Sequence, residues 1–205
     1  MVPADAAAAS TIRLTEGQLS SSRLEAFSDG VIAIIMTIMV LDLQVPADRG
    51  PSGLMQEWPT FVSYVISYLL VARYWVNHHQ MLHEVKTVNN RLLWSNILLL
   101  FCMSLVPFFT AFMASSRVNS FSVALYCVVM LLCGVAFLVL RAAINAQITD
   151  DAEEEARRCA AWRKNCISVA LDCVAIPIAY VMPVVSLVLV FGIVASYFVP
   201  NAWVE

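Results

Sequence analysis

The chain has 205 residues, of which 60% are hydrophobic and 13% charged, with a formal net charge of −3. Soluble domains average about a quarter charged residues, so this composition is that of an integral membrane protein. The negative balance leaves no basic footprint for nucleic acid. Six cysteines (Cys102, Cys127, Cys133, Cys159, Cys166 and Cys173) form no C-x-x-C pair, which argues against zinc fingers and disulfide frameworks.

Residues 1–20 are rich in Ala, Ser and Thr and read as a disordered cytoplasmic tail. They lack the basic start and short apolar core of a signal peptide. Residues 21–205 then form one all-α transmembrane domain. At about 34 residues per helix and loop, this length accommodates six spans. The expected spans cover residues 23–43, 59–79, 92–113, 121–140, 165–179 and 184–199. Pro46, Gly50, Pro51 and Gly53 break the chain after the first span, and Trp58-Pro59 suits a helix start at the membrane interface. Pro107 is expected to bend the third span. Residues 141–164 form the one extended charged segment. In it Glu153/Arg157 and Glu154/Arg158 pair at i,i+4, as on a solvated helix. Cys159, Cys166 and Cys173 repeat at seven and share a face, where small residues suit a helix contact. Basic residues gather on one side of a six-span topology (Arg13, Arg23, Lys86, Arg91, Arg141, Arg157, Arg158, Arg163, Lys164), against Arg49 and Arg117 on the other. This places both termini in the cytoplasm of a multi-pass cell-membrane protein.

The first span is the unusual one, since it carries an arginine and acids that a plain anchor would not keep. At 100° per residue, Phe27, Ile34, Ile38 and Leu41 fall on one narrow aliphatic face flanked by Gly30 and Thr37. Asp29 points roughly the other way, with Glu25, Ala33, Met36 and Val40. Asp29, Asn77, His78, Ser95 and Asn96 share one depth on three helices, and a buried carboxylate needs partners. They read as a polar clasp joining helix one to helices two and three. The alternative is an ion ligand or proton relay at Asp29. His79 and His83 lie at i,i+4, but only Glu84 offers a nearby carboxylate in sequence, so no metal is assigned. Arg73, deeper in the second span, is expected to meet Tyr rings or carbonyls, or to snorkel. No nucleophile–base pair, phosphate loop or paired catalytic acids occur.

Arg23, Phe27, Ser28 and Asp29 reproduce the R-x-x-x-F-S-D signature that opens the first helix of the transmembrane protein 175 family of potassium channels. The run Val31 to Leu43 resembles the continuation of that helix. Trp75-Val76-Asn77-His78-His79, Asn96 and Pro107-Phe108 resemble the family's second and third helices. The resemblance covers roughly residues 23–115, and the remainder only by helix count. It implies a homotetramer selective for potassium over sodium, with Ile34 and Thr37 offset from the motif as the family's pore residues are, and with Arg23, Phe27, Ser28 and Asp29 in a packing role. The chain has one such motif, so a pore needs a ring of subunits.

Two classes follow. One is a channel whose path is narrowed by rings of Ile34, Ile38 and Leu41 with Thr37 beside them. It needs no cofactor beyond permeant K+, and its only partners are further copies of itself and the lipid bilayer. No T-V-G-Y-G carbonyl filter is present, which leaves an apolar constriction to select. The other is a proton-coupled transporter or membrane enzyme using Asp29, His78 and Arg73, although no internal repeat of the transporter kind is present. From sequence alone such an aliphatic stripe reads as ordinary helix packing; the resemblance reverses this in favour of the pore.

Overall fold

The computed structural model describes residues 20–85, 87–147 and 152–198, and its described secondary structure is entirely helical. The expected tail therefore lies, apart from Ser20, outside the described residues. Helix α1 (Ser21–Ile38) passes into a tight 3-10 turn (Met39–Asp42), and the two together form one apolar rod. After the loop come α2 (Pro51–Gln56) and α3 (Trp58–His83). The third span is split into α4 (Asn90–Ser104) and α5 (Val106–Ser115), followed by α6 (Ser120–Asn145), α7 (Ala152–Val181) and α8 (Pro183–Phe198).

Local chemistry sets these boundaries. Asn89 and Asn119 cap α4 and α6, their side chains accepting from Leu92 N and Ser122 N at 2.8 Å each, which satisfies donors the helix itself leaves unpaired. The break between α4 and α5 falls at Leu105, two residues before Pro107. Proline there has no N–H, and its ring crowds the carbonyl four residues back. In the loop, Gly50 N donates to Asp48 Oδ1 at 2.9 Å and Ser52 Oγ donates to Asp48 Oδ2. The Ser52 hydroxyl first, then the Gly50 N–H, hold the Asp48 carboxyl below its usual range.

Among the described residues, four segments are long and apolar enough to cross a membrane: Ser21–Asp42, Asn90–Ser115, Ser120–Asn145 and Glu155–Val181. Helix α3 has 26 residues, about 39 Å at 1.5 Å each, yet Arg73, His78 and His79 lower its hydropathy. Helix α8 is apolar but shorter. From Ala152 the charged segment is helical, and that helix runs without interruption into the fifth apolar stretch, longer than the expected span 165–179. With this helix formed, Cys159 and Cys173 lie exposed and Cys166 half-buried, so most of their shared face is open in the single subunit.

Helix α6 is the centre of the bundle, packing against α4, α5, α7 and α8. Tyr126, Cys127, Cys133 and Leu140 on it are fully buried. Tyr126 OH meets Ser67 Oγ at 2.9 Å, and Thr110 Oγ1 donates to the same Ser67 Oγ at 2.8 Å. One small hydroxyl chain thus joins α6, α3 and α5. Helices α7 and α8 form a hairpin against α6, where Ser186 Oγ donates to Ala175 O at 2.8 Å and meets Cys127 Sγ at 3.3 Å.

Gly53 is required by space, since a Cβ there would stand 1.9 Å from the Asp48 carbonyl oxygen, a backbone atom that cannot swing aside. Gly53→Ala is expected to cost about 1–3 kcal/mol, read as a lower unfolding temperature in mild detergent.

Candidate functional site

Helix α1 is two-faced. Leu24, Ser28, Ile32 and Ile35 are buried along one stripe, continued by Met39, and this stripe packs on α3, α4 and α5. The other side is bare in the single subunit: Phe27 is 57% exposed, Ile34 58%, Ile38 46% and Leu41 75%. Gly30, Ala33 and Thr37 are also exposed. Thr37 Oγ1 turns back on its own helix, donating to the carbonyls of Ala33 and Ile34 at 3.0 Å each. A shallow apolar groove runs beside this face, between Ile34 and Ile38 on α1 and Pro107 and Phe108 on α5.

The buried stripe carries one polar member, Ser28. Its hydroxyl donates to Leu24 O at 2.8 Å and accepts from Asn96 Nδ2 at 2.9 Å, while Asn96 Oδ1 meets His78 Nε2 at 2.7 Å. All three residues have no exposed surface. With Asn96 Oδ1 accepting, the proton of His78 sits on Nε2. Three helices are thereby tied by a continuous chain of short hydrogen bonds in an apolar surrounding, where each is worth more than in water.

This chain differs from the expected clasp. Asp29 is not in it; half-buried, it accepts from the exposed Trp75 Nε1 at 2.9 Å. Asn77 Nδ2 donates to Arg73 O within its own helix at 2.8 Å, and Ser95 Oγ donates to Arg91 O at 2.7 Å. The reason is rotation. Residue 28 lies on the 24–32–35 stripe, and residue 29 is turned 100° away from it. Arg23 and Phe27 of the same motif face outward.

Asp29, His78 and Arg73 are not brought together either. The Arg73 guanidinium is buried between aromatic rings, 4.6 Å from the centroids of Tyr74 and Tyr197, a cation–π arrangement tying α3 to α8. Tyr197 OH in turn donates to Asn165 Oδ1 at 2.8 Å. Asp172, also buried, lies near this cluster: a Cβ on Gly134 would stand 3.6 Å from its Oδ2 and 3.7 Å from Tyr74 OH. Asp172 was readable as the lone acid in an apolar run. Glu25, placed by sequence only on the Asp29 face of the first helix, meets the two histidines. Its Oε1 lies 2.8 Å from His79 Nδ1 and 3.5 Å from His83 Nε2. Helix α1 therefore supplies the carboxylate that a search for neighbours in sequence could not find.

Fold and site together define an all-α, multi-pass membrane protein whose first helix is fastened by one face and bare on the other. The sequence profile of the family described as endosomal/lysosomal potassium channel TMEM175 matches residues 23–107. A protein named as a potassium channel from Chryseobacterium sp. (strain P1-3) is 33% identical over 91% of this chain and 97% of its own length. Another so named, from Streptomyces collinus, is 40% identical over 58% of this chain and 62% of its own. The crystal structure of a lysosomal potassium-selective channel TMEM175 homolog from Chamaesiphon minutus superposes with a TM-score of 0.78 at 25% identity. That match covers 86% of this chain and 95% of the other. The chain belongs to the TMEM175 family, a family of ion channels rather than enzymes.

Asn96→Ala strands the buried His78 Nε2–H and takes away the donor to Ser28, so it is expected to cost about 1–3 kcal/mol. Asp29→Asn keeps an acceptor for Trp75 at a half-buried position and is expected to cost less. Unfolding temperatures of the two variants in the same detergent test this order.

Proposed function

We propose that this chain is the subunit of a homotetrameric potassium-selective channel, with α1 at the axis and rings of Ile34, Ile38 and Leu41 forming the constriction. The observation that carries this reading is the bare aliphatic face of α1, at residues offset from a motif whose buried member fixes the helix from behind. Names and structure of the similar proteins support potassium as the permeant ion. Six spans follow if α3 and α8 join the four long apolar segments. The polar Arg73 and His78 of α3 are buried in the bundle, so lipid would not meet them. An even number of spans puts both termini on one side. The basic residues Arg23, Arg91, Arg141, Arg157, Arg163 and Lys164 favour the cytoplasm for that side.

Stacked apolar rings offer no oxygen ligands, so a passing ion must shed or compress its water. Potassium holds its hydration shell less tightly than sodium and passes at lower cost, and apolar constrictions also close by dewetting. Thr37 stands about one helical turn from Ile34 and directly precedes Ile38, and its hydroxyl is the nearest polar group able to relieve that cost.

Purified protein in liposomes is expected to carry potassium down its gradient faster than sodium. Ile34→Ala is expected to raise flux severalfold and to narrow the preference for potassium. Mass measurement in mild detergent is expected to give a tetramer. Monomers alone, or unchanged ion preference in conducting Ile34→Ala, would contradict the reading.

A further inference from the structure

Where α1 begins and α3 ends, three side chains converge that neither the clasp nor the constriction uses. His79 points Nδ1 at Glu25 Oε1 (2.8 Å) and Nε2 at His83 Nε2 (3.1 Å), while His83 Nε2 also approaches Glu25 Oε1 at 3.5 Å. One ligand atom from each of Glu25, His79 and His83 lies within 4.8 Å of the other two. Around a tetrahedral zinc ion with bonds of about 2.0–2.1 Å, ligand atoms stand about 3.3 Å apart. The two imidazole–carboxylate separations, 2.8 Å from His79 Nδ1 and 3.5 Å from His83 Nε2 to the same Glu25 oxygen, bracket that edge. Two histidines at i,i+4 on one helix are a recurrent zinc-binding spacing.

The surroundings suit a metal. The Trp75 ring stacks on His79 at 5.7 Å between centroids, limiting its motion, while Trp75 itself is held by Asp29. The Glu25 side chain is 17% exposed and that of His83 63%, so one ligand is sheltered and another opens the approach to water. Two imidazoles and one carboxylate favour borderline transition ions over calcium or magnesium, which take oxygen ligands. Three protein ligands leave one tetrahedral position for water.

We propose that Glu25, His79 and His83 form a zinc-class transition-metal site that staples α1 to α3 and lowers ion flux when filled. The site ties two helices rather than one, since Glu25 comes from α1 and both histidines from α3. A filled site fixes the end of α1 against α3 and resists any rotation that would widen the constriction. The effect on flux, unlike the binding, rests on the proposed pore reading.

The test uses the full chain. Zinc at micromolar concentration is expected to bind wild type with one ion per chain and to raise its unfolding temperature. Cobalt(II) is expected to give tetrahedral d–d bands without the thiolate charge-transfer band that native cysteines would produce. His83→Gln, an exposed position, is expected to fold as wild type and to weaken binding roughly tenfold to a hundredfold, as is Glu25→Gln. Zinc is expected to slow potassium flux in wild type and not in His83→Gln. No binding to wild type, binding as tight in both variants as in wild type, or a thiolate band would overturn the site. Binding at the site with flux unchanged in conducting protein would overturn its role in flux. Absence of potassium flux in metal-free wild type would instead count against the channel reading, leaving the binding measurements to decide the site.

Discussion

The hydrogen-bond chain from Ser28 through Asn96 to His78 is the constraint on which the rest of the arrangement depends. Each of these residues is fully buried among apolar side chains, where an unpaired polar group costs about 1–3 kcal/mol. The chain therefore forms completely or at considerable cost, and forming it fixes both the depth and the rotation of α1. Apolar packing alone would leave the rotation soft, because Ile and Leu side chains on neighbouring turns can exchange places with little loss. The single hydroxyl of Ser28 removes that freedom. With it turned inward, Ile34, Ile38 and Leu41 have nowhere to go but outward.

The clasp is one of a series of rungs between α1 and α3. Ser21 Oγ donates to Leu82 O at 3.1 Å, Glu25 meets His79, and Asp29 accepts from Trp75. Ascending numbers on one helix pair with descending numbers on the other, as antiparallel neighbours require, and steps of four on α1 against three and then four on α3 keep all rungs on one seam. Buried at its centre and exposed along its edge, this seam grades from rigid to adjustable. The far side of the bundle is fastened differently, by Arg73 stacked between Tyr74 and Tyr197, so that α3 is held from both sides while α1 is held from one.

Much of this was legible in sequence, and the parts that were not share a cause. Hydropathy and helix breakers marked the segments, because crossing a membrane demands a length and a composition that any window detects. The aliphatic face of α1 followed from helical geometry alone. The register of the clasp did not: depth suggested Asp29, whereas the one-residue rotation that places Ser28 on the buried stripe depends on which face the other helices select. Glu25 with His79 and Asp172 near Tyr74 join residues more than fifty positions apart, and no local pattern encodes such meetings. The break at Leu105 and the unbroken run of α7 through its charged start are boundary effects. In the first, Pro107 acts back along the chain. In the second, a solvated turn continues an apolar helix at no cost in backbone hydrogen bonds.

The central claim is that the bare face of α1 meets other copies of itself around an axis rather than lipid. Disulfide trapping tests it most directly, in a background with the six native cysteines replaced. Ile38→Cys, on the bare face, should yield covalent dimers under mild oxidation in membranes. Val174→Cys, 49% exposed on α7, should remain monomeric as a lipid-facing control. Dimers from Val174→Cys with none from Ile38→Cys would place the subunit contact elsewhere and contradict the account.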